Sequence, residues 1–223
     1  MNSLELFKTQ KFYQIDISIL KDLGYDVLLS NRIFDSLLFW KYDILFSYFY
    51  RYSFFAALLA KCFGKKTYFT GGIDSLDSDY ASAFNYKIQA LFFKLCYWVA
   101  DSCIIVSQSD LKNIFKVSSL KKKLSYSEHV INTKLFIADV PKEKIFTSIV
   151  WMGDEGNVVR KGVDKALQIF AELKKIPEFV DYRFVIIGRK GEGEVLVRSI
   201  IDKYNLKGSV ELKGEVSEED KIN

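Results

Sequence analysis

The stretch from Ser148 to Phe170, SIVWMGDEGNVVRKGVDKALQIF, limits the possible folds of this chain more than any other. A short apolar run passes into a polar segment with glycines. Beyond it Val163, Ala166, Leu167, Phe170 and Leu173 recur at helical spacing. The pattern predicts a strand over 148–152, a loop containing Gly153, and a helix over 162–175. Arg160 and Lys161 fall between strand and helix. A helix N-terminus carries about half a positive charge, so two cations placed there are unfavourable unless something negative offsets them. A phosphate would collect both side chains and the free N–H groups of the first turn, and Gly162 has no Cβ to obstruct it. The competing reading turns both side chains into water, with Asp164 and Glu155 softening the field.

A second unit of the same kind follows. A strand is expected over 182–187, then Gly188, Arg189, Lys190, Gly191 and Gly193, then a helix striped by Val197, Ile200, Ile201 and Tyr204. With right-handed crossovers, both loops lie on the same edge of one sheet, and this coincidence strengthens the phosphate reading. A last strand is expected over 209–212. Ser217, with Glu218, Glu219 and Asp220 after it, has the form of a capped helix start. An α/β unit that stops there reads as part of a larger one.

The first half also alternates. A helix is expected over 7–23, with Phe12, Ile15, Ile19 and Leu23 on one stripe and Gly24 as its C-cap. Strands are expected over 25–30 and 42–47, a helix capped by Ser53 and ended by Gly64, and a strand over 66–70. A long helix over 81–100, a strand over 102–106 and a helix capped by Ser107, with Asp110 placed to answer it, complete the series. Such alternation implies parallel sheets and the α/β class. The strand at 66–70 runs straight into Gly71, Gly72, Ile73 and Asp74, at the carboxyl end where open α/β sheets bind ligands. The same glycines could serve only to make a turn. From Lys121 to Lys144 the pattern breaks into short pieces around Pro141, which puts a domain boundary between 1–141 and 142–223.

Composition excludes several classes. A chain of 223 residues with 49% hydrophobic and 16% aromatic residues can build two cores, which argues against disorder. A net charge of +4 is mild, and the only dense basic run is Lys121, Lys122 and Lys123, so no nucleic-acid partner is expected. That triplet is a solvated turn or a contact with an anionic membrane surface. Cys62, Cys96 and Cys103 lack metal-ligand spacing and sit in apolar segments, as small core residues of a reducing compartment do. His129 has no second histidine with which to share a metal and reads as structural; no metal site is predicted. Met1 to Gln10 has no apolar core of a secretory signal. The apolar runs at 44–50, 54–60 and 88–100 are too short, or too charged at Lys94, to span a bilayer.

Taken in order, ADSCIIVSQSDLKNI, VINTKLF, VWMG with RKGVDKALQIF, FVIIGRKGEG and VELKGEVSEED resemble a GT-B fold glycosyltransferase of the family 4 type, from about Phe12 to Asp220. The resemblance implies two Rossmann-like domains, the first on the acceptor side and the second, incomplete here, binding the donor. It also implies transfer of a sugar from a UDP- or GDP-linked donor with retention at the anomeric carbon and without a metal or further cofactor. Lys161 matches the family's lysine on the diphosphate, and the loop from Gly188 through Arg189 to Gly191 its segment near the base and ribose. Gly153, Arg160 and Lys161 on one turn, and Gly188, Arg189 and Gly191 on the other, are the expected donor residues; Gly71, Gly72 and Asp74 are the expected acceptor-side residues.

Departures accompany the likeness. Asp154 stands where the family commonly has an arginine, and Gly71 and Gly72 stand where many members have a histidine. The family's motif of two glutamates would fall beyond Asn223, so this chain is expected to be inactive by itself. Catalytic residues are therefore left unassigned. The expected setting is cytoplasmic and peripheral at the inner face of the plasma membrane, with a glycan or lipid-linked acceptor of cell-surface polysaccharide assembly. The alternative is a non-catalytic nucleotide-binding or scaffolding protein of the same architecture. A Rossmann dehydrogenase is disfavoured because no strict GxGxxG follows a first strand.

Overall fold

The computed structural model describes residues 7, 11–73, 76–77, 81–117, 121–130, 133, 141–217 and 220. The chain divides into two compact units, Met1–Ile131 and Asn132–Asn223, each with its own parallel sheet and its own apolar core.

In the first unit, helix α1 (Lys11–Asp22) precedes two short 3-10 turns, Ile33–Leu37 and Phe39–Lys41. Then strand and helix alternate through β1 (Ile44–Tyr48), α2 (Ser53–Cys62), β2 (Lys66–Thr70), α3 (Ala83–Val99), β3 (Ser102–Ile105), α4 (Gln108–Val117) and β4 (Leu124–Tyr126). The strands pair in parallel in the order β1-β2-β3-β4, with Ile44 opposite Lys66 and Tyr48 opposite Thr70. Parallel strands are covered on both faces, which is why Phe69, Cys103 and Ile105 are buried beneath Phe54, Ala57, Phe93 and Cys96 of the helices. Tyr50 ties the carboxyl ends together. Its hydroxyl donates to the carbonyls of Ile104 at 2.9 Å and Phe69 at 3.3 Å, and its own carbonyl accepts from Gln89 Nε2 at 2.9 Å.

Several expectations are corrected here. The run YDVLLS at 25–30 is not a strand: the sheet begins at β1, no strand lies beside this segment among the described residues, and Leu28 is 71% exposed. In α1 the buried residue is Tyr13, whose ring meets Tyr48 edge-on at 4.5 Å, while Ile19 and Leu23 face solvent. Ser53 does not cap α2; it is the first helical residue, and its hydroxyl donates back to the Phe49 carbonyl. Cys62 is exposed, unlike Cys96 and Cys103. Strand β4, where the sequence reads as broken pieces, is only three residues long and half exposed. Ser107 does cap, accepting from the Asp110 N–H at 3.0 Å, and Ser82, not expected to, caps α3 by accepting from the Asn85 N–H at 3.3 Å.

The second unit runs β5 (Ile145–Ile149), α5 (Glu155–Arg160), α6 (Val163–Leu173), β6 (Arg183–Ile187), α7 (Gly193–Lys203) and β7 (Val210–Gly214). Its three strands are parallel in the order β5-β6-β7. Val163, Leu167, Phe170, Val197, Ile200 and Ile201 bury the facing stripes of α6 and α7 against Phe184 and Ile186. Strand β5 starts earlier than expected. Ile145–Ile149 pairs in register with Arg183–Ile187, and the apolar residues that suggested a strand over 148–152 include Val150 and Met152, which are buried just past its end.

Candidate functional site

All three strands of the second unit end on one edge, and their following turns are locked together. The Val150 N–H donates to the Ile187 carbonyl at 2.8 Å and the Gly188 N–H to the Gly214 carbonyl at 2.7 Å, which carries the ladder past each strand end. Beyond that the two turns bond directly. Met152 N–H reaches the Arg189 carbonyl at 3.1 Å, Glu192 N–H the Gly153 carbonyl at 3.1 Å, and Gly193 N–H the Met152 carbonyl at 3.2 Å.

This contact explains the glycines. Gly188 holds φ at 144°, and a Cβ there would lie 1.8 Å from the Val150 carbonyl oxygen. At Gly191 a Cβ would meet the Met152 carbonyl oxygen at 2.5 Å and Gly153 Cα at 2.7 Å; at Gly193 it would meet the Asp154 carbonyl oxygen at 2.4 Å. Backbone can approach backbone this closely only where no side chain intervenes. The structure therefore brings Gly153, Gly188, Arg189 and Gly191 together in one pair of turns at the carboxyl ends of neighbouring parallel strands. Such edges are where open α/β sheets receive ligands.

Arg160 and Lys161 stand directly before the N-cap of α6, as expected, but they also end a helix that was not expected. The segment between strand and helix is not a plain loop; it contains α5, a six-residue helix about 9 Å long, and the two cations lie at its far end. The signal for this helix was in the sequence. Asp154 is its N-cap, with Oδ1 accepting from the Asn157 N–H at 2.7 Å and Oδ2 from Asn157 Nδ2 at 3.2 Å. Gly162, at φ 70°, closes α5 through its N–H to the Val159 carbonyl and at once serves as N-cap of α6. Arg160 sits in the last turn of α5, where a cation is favourable, and donates to Asn157 Oδ1 at 3.1 Å. The dipole of α6 alone thus does not require an anion, because the C-terminus of α5 meets it with the opposite sign. Lys161 is exposed, and α6 begins without a side-chain cap. Asp164 occupies its first turn, with a buried oxygen that has no hydrogen-bond partner.

Arg189 is paired: its guanidinium reaches both Glu215 oxygens at 3.2 and 3.4 Å, just past β7. The pair is half exposed, so it contributes little to stability. It holds the side chain toward the β7 end of the edge.

In the first unit Gly71 and Gly72 follow β2 at its carboxyl end; Gly71 has φ 111°, and a Cβ on it would come within 3.2 Å of the Phe49 ring. Phe49 itself holds φ at 67° and donates its N–H to the Thr70 carbonyl at 2.8 Å. Asp74 lies outside the described residues. His129 is exposed and packs its ring 5.5 Å from Phe12. Among the described residues no group of three His, Cys, Asp or Glu side chains is placed to hold a metal ion.

Comparison with known proteins adds to this geometry. Residues 156–223 match the family described as glycosyl transferases group 1. No curated protein matches the chain significantly. Among solved structures, a variant of TarM from S. aureus, in complex with Fondaparinux, α-GlcNAc-glycerol and UDP, superposes with a TM-score of 0.55 at 16% identity, over 74% of this chain and 31% of its own. HepE from Anabaena superposes with a TM-score of 0.62 at 12% identity in its UDP complex, over 82% of this chain and 51% of its own. Its complex with UDP and glucose covers 90% of this chain and 59% of its own, at a TM-score of 0.60 and 13% identity.

The chain has the fold of the GT-B glycosyltransferases.

It spans about a third to three-fifths of the length of these GT-B structures. The matched segment begins inside α5 and takes in Arg160, Lys161 and the turn after β6. The turn after β5, with Gly153 and the cap Asp154, lies just before it.

Proposed function

We propose that this protein is part of a glycosyltransferase that moves a sugar from a nucleotide-diphosphate donor to a glycan or lipid-linked acceptor, with the second unit holding the donor. The observation that carries the reading is the backbone lock between the turns after β5 and β6, in a unit most of which matches the group 1 family. The solved neighbours support it, since crystal structures of a TarM variant and of HepE hold UDP.

In this reading Gly153 and the interlocked turn with Gly188, Arg189 and Gly191 take the nucleotide side of the donor, and Lys161, with Arg160 beside it, takes the diphosphate. The leaving diphosphate gains charge as the glycosidic bond breaks, so a fixed ammonium stabilises the transition state more than the ground state. On the family resemblance, transfer also proceeds with retention at the anomeric carbon and without a bound metal. Gly71 and Gly72, with Asp74 after them, take the acceptor side, in a cytoplasmic protein peripheral to the membrane that serves polysaccharide assembly.

The test is donor affinity. Each charge-assisted contact contributes roughly 1.5 to 3 kcal/mol, so Lys161→Ala is expected to weaken binding of UDP- or GDP-sugars, and transfer by the full-length protein, by about tenfold or more. Unchanged affinity measured by calorimetry removes Lys161 from the site. A second reading, a nucleotide-binding protein without transfer activity, is favoured by Asp154, which caps α5 where the family's arginine is expected. Donor binding without turnover by the full-length protein selects it.

A further inference from the structure

Helix α3 presents an apolar and basic stripe that no described element covers. Phe84, Lys87, Leu91, Lys94 and Trp98 are spaced three, four, three and four residues apart, which puts them within one narrow arc of a helix. All are exposed, the large apolar ones conspicuously so: Phe84 at 73%, Leu91 at 55% and Trp98 at 69%. The opposite face of the same helix, with Gln89, Phe93, Cys96 and Tyr97, is buried in the core of the first unit. The stripe is therefore anchored on a rigid support and runs about 21 Å from Phe84 to Trp98.

Charge settles what such a stripe fits. The sequence of α3, AFNYKIQALFFKLCYWV, contains no acidic residue. At its C-terminal end Lys123 donates through Nζ to the carbonyls of Tyr97 at 3.2 Å and Trp98 at 3.0 Å, which fixes Lys123 beside Trp98, while the Lys121 ammonium lies 4.7 Å over the Phe115 ring of α4 and Lys122 is exposed between them. Asp101, the acid next in the chain, is paired with Lys61 at 2.8 Å. Phe55 of α2, exposed and edge-on to Phe92 at 6.4 Å, widens the apolar strip on one side. Large apolar side chains that alternate with lysines, with a tryptophan at one end and a basic run beyond it, match a lipid interface. The rings and Leu91 reach the acyl boundary while the lysine stems bend their ammonium groups to the headgroups. With 17 residues and two lysines, α3 lies on a bilayer rather than crossing it, and no helix among the described residues is long and apolar enough to cross one.

We infer that the exposed face of α3, with Lys121 and Lys122 at its end, is a docking surface for an anionic phospholipid membrane. The surface belongs to the first unit and does not depend on which donor the second unit takes. It gives a location on the molecule to the peripheral membrane placement proposed above.

Vesicle co-sedimentation tests it, with the purified full chain and vesicles of phosphatidylglycerol mixed into phosphatidylcholine, or of phosphatidylcholine alone. The protein is expected to pellet with the anionic vesicles and only weakly with the neutral ones. Leu91→Ser with Trp98→Ser, and separately Lys87→Gln with Lys94→Gln, are each expected to weaken binding about tenfold or more, with thermal unfolding unchanged because every substituted side chain is exposed. In a Trp40→Phe, Trp151→Phe background, Trp98 emission is expected to shift to the blue on adding anionic vesicles. No pelleting with anionic vesicles overturns the inference. So does pelleting that both pairs of substitutions leave intact, or a dimer in solution that Leu91→Ser dissociates while vesicles bind nothing.

Discussion

Gly188 and Gly208 both hold positive φ, yet only one of them is crowded. At Gly208, φ 81°, nothing lies within 4 Å of an added Cβ, whereas at Gly188 the Val150 carbonyl stands 1.8 Å away. Gly208→Ala should cost only the left-handed penalty, about 1 kcal/mol. Gly188→Ala should cost more than ~3 kcal/mol, because backbone must move as well. Urea denaturation of the two variants checks the difference. The cysteines divide in the same way. Burial pushes the Cys96 thiol far up and that of Cys103 up to about 12, while Cys62 lies at the surface. One thiol is expected to react rapidly with a disulfide reagent in the native protein and all three after unfolding, since the thiolate is the reactive form. The sequence could not distinguish Cys62 from the other two. All three sit in apolar runs, and only the end of α2 at Cys62 brings that residue out to water.

Elements were legible where side-chain periodicity decides them and obscure where a neighbour does. Helices α3, α6 and α7 and the strands β2 and β6 follow from the stripes and apolar runs of their own residues. YDVLLS reads as a strand by itself and is not one, because a strand exists only beside a partner. Helix α5 was hidden by its shortness, although Asp154 and Gly162 mark its two ends. Asp154→Ala is expected to cost about 1 kcal/mol by removing that cap, measurable as a lower urea midpoint. Between β2 and β3 the joining group is Asp101. Partial burial works against its ionised form, but hydrogen bonds from Lys61 Nζ and the Thr67 N–H outweigh this and hold its carboxyl below the ordinary 3.8. A lowered folded value means that the stabilisation is complete above the usual carboxylate range and is lost as pH falls below about 4. Asp101→Asn should flatten that part of the stability profile between neutral and acid pH, and urea midpoints taken across the range report it.

At the scale of the whole molecule, length and the broken pattern from Lys121 to Lys144 pointed to two α/β units divided at 141–142; the chain divides within that break but ten residues earlier, into Met1–Ile131 and Asn132–Asn223, each with its own core. The candidate site was legible in part. Two glycine turns on one sheet edge follow from crossover handedness alone, but the hydrogen bonds between them, the pairing of Arg189 with Glu215 and the short helix α5 that ends at Arg160 and Lys161 depend on geometry that spacing does not encode. If the second unit takes a nucleotide there, UDP at a hundred times its Kd should raise unfolding stability by about 2.7 kcal/mol, seen as a higher transition temperature in a thermal-shift assay. The lock between the turns also bears on how such a protein could diversify. With Gly188, Gly191 and Gly193 seated directly on the main chain of residues 150–154, an insertion or a bulkier residue in either turn tears the other, so a mutational scan should find these glycines nearly intolerant of replacement. Any retuning of ligand preference is left to the exposed side chains of these turns, Trp151, Arg189 and Lys190 among them, none of which makes the backbone hydrogen bonds of the lock.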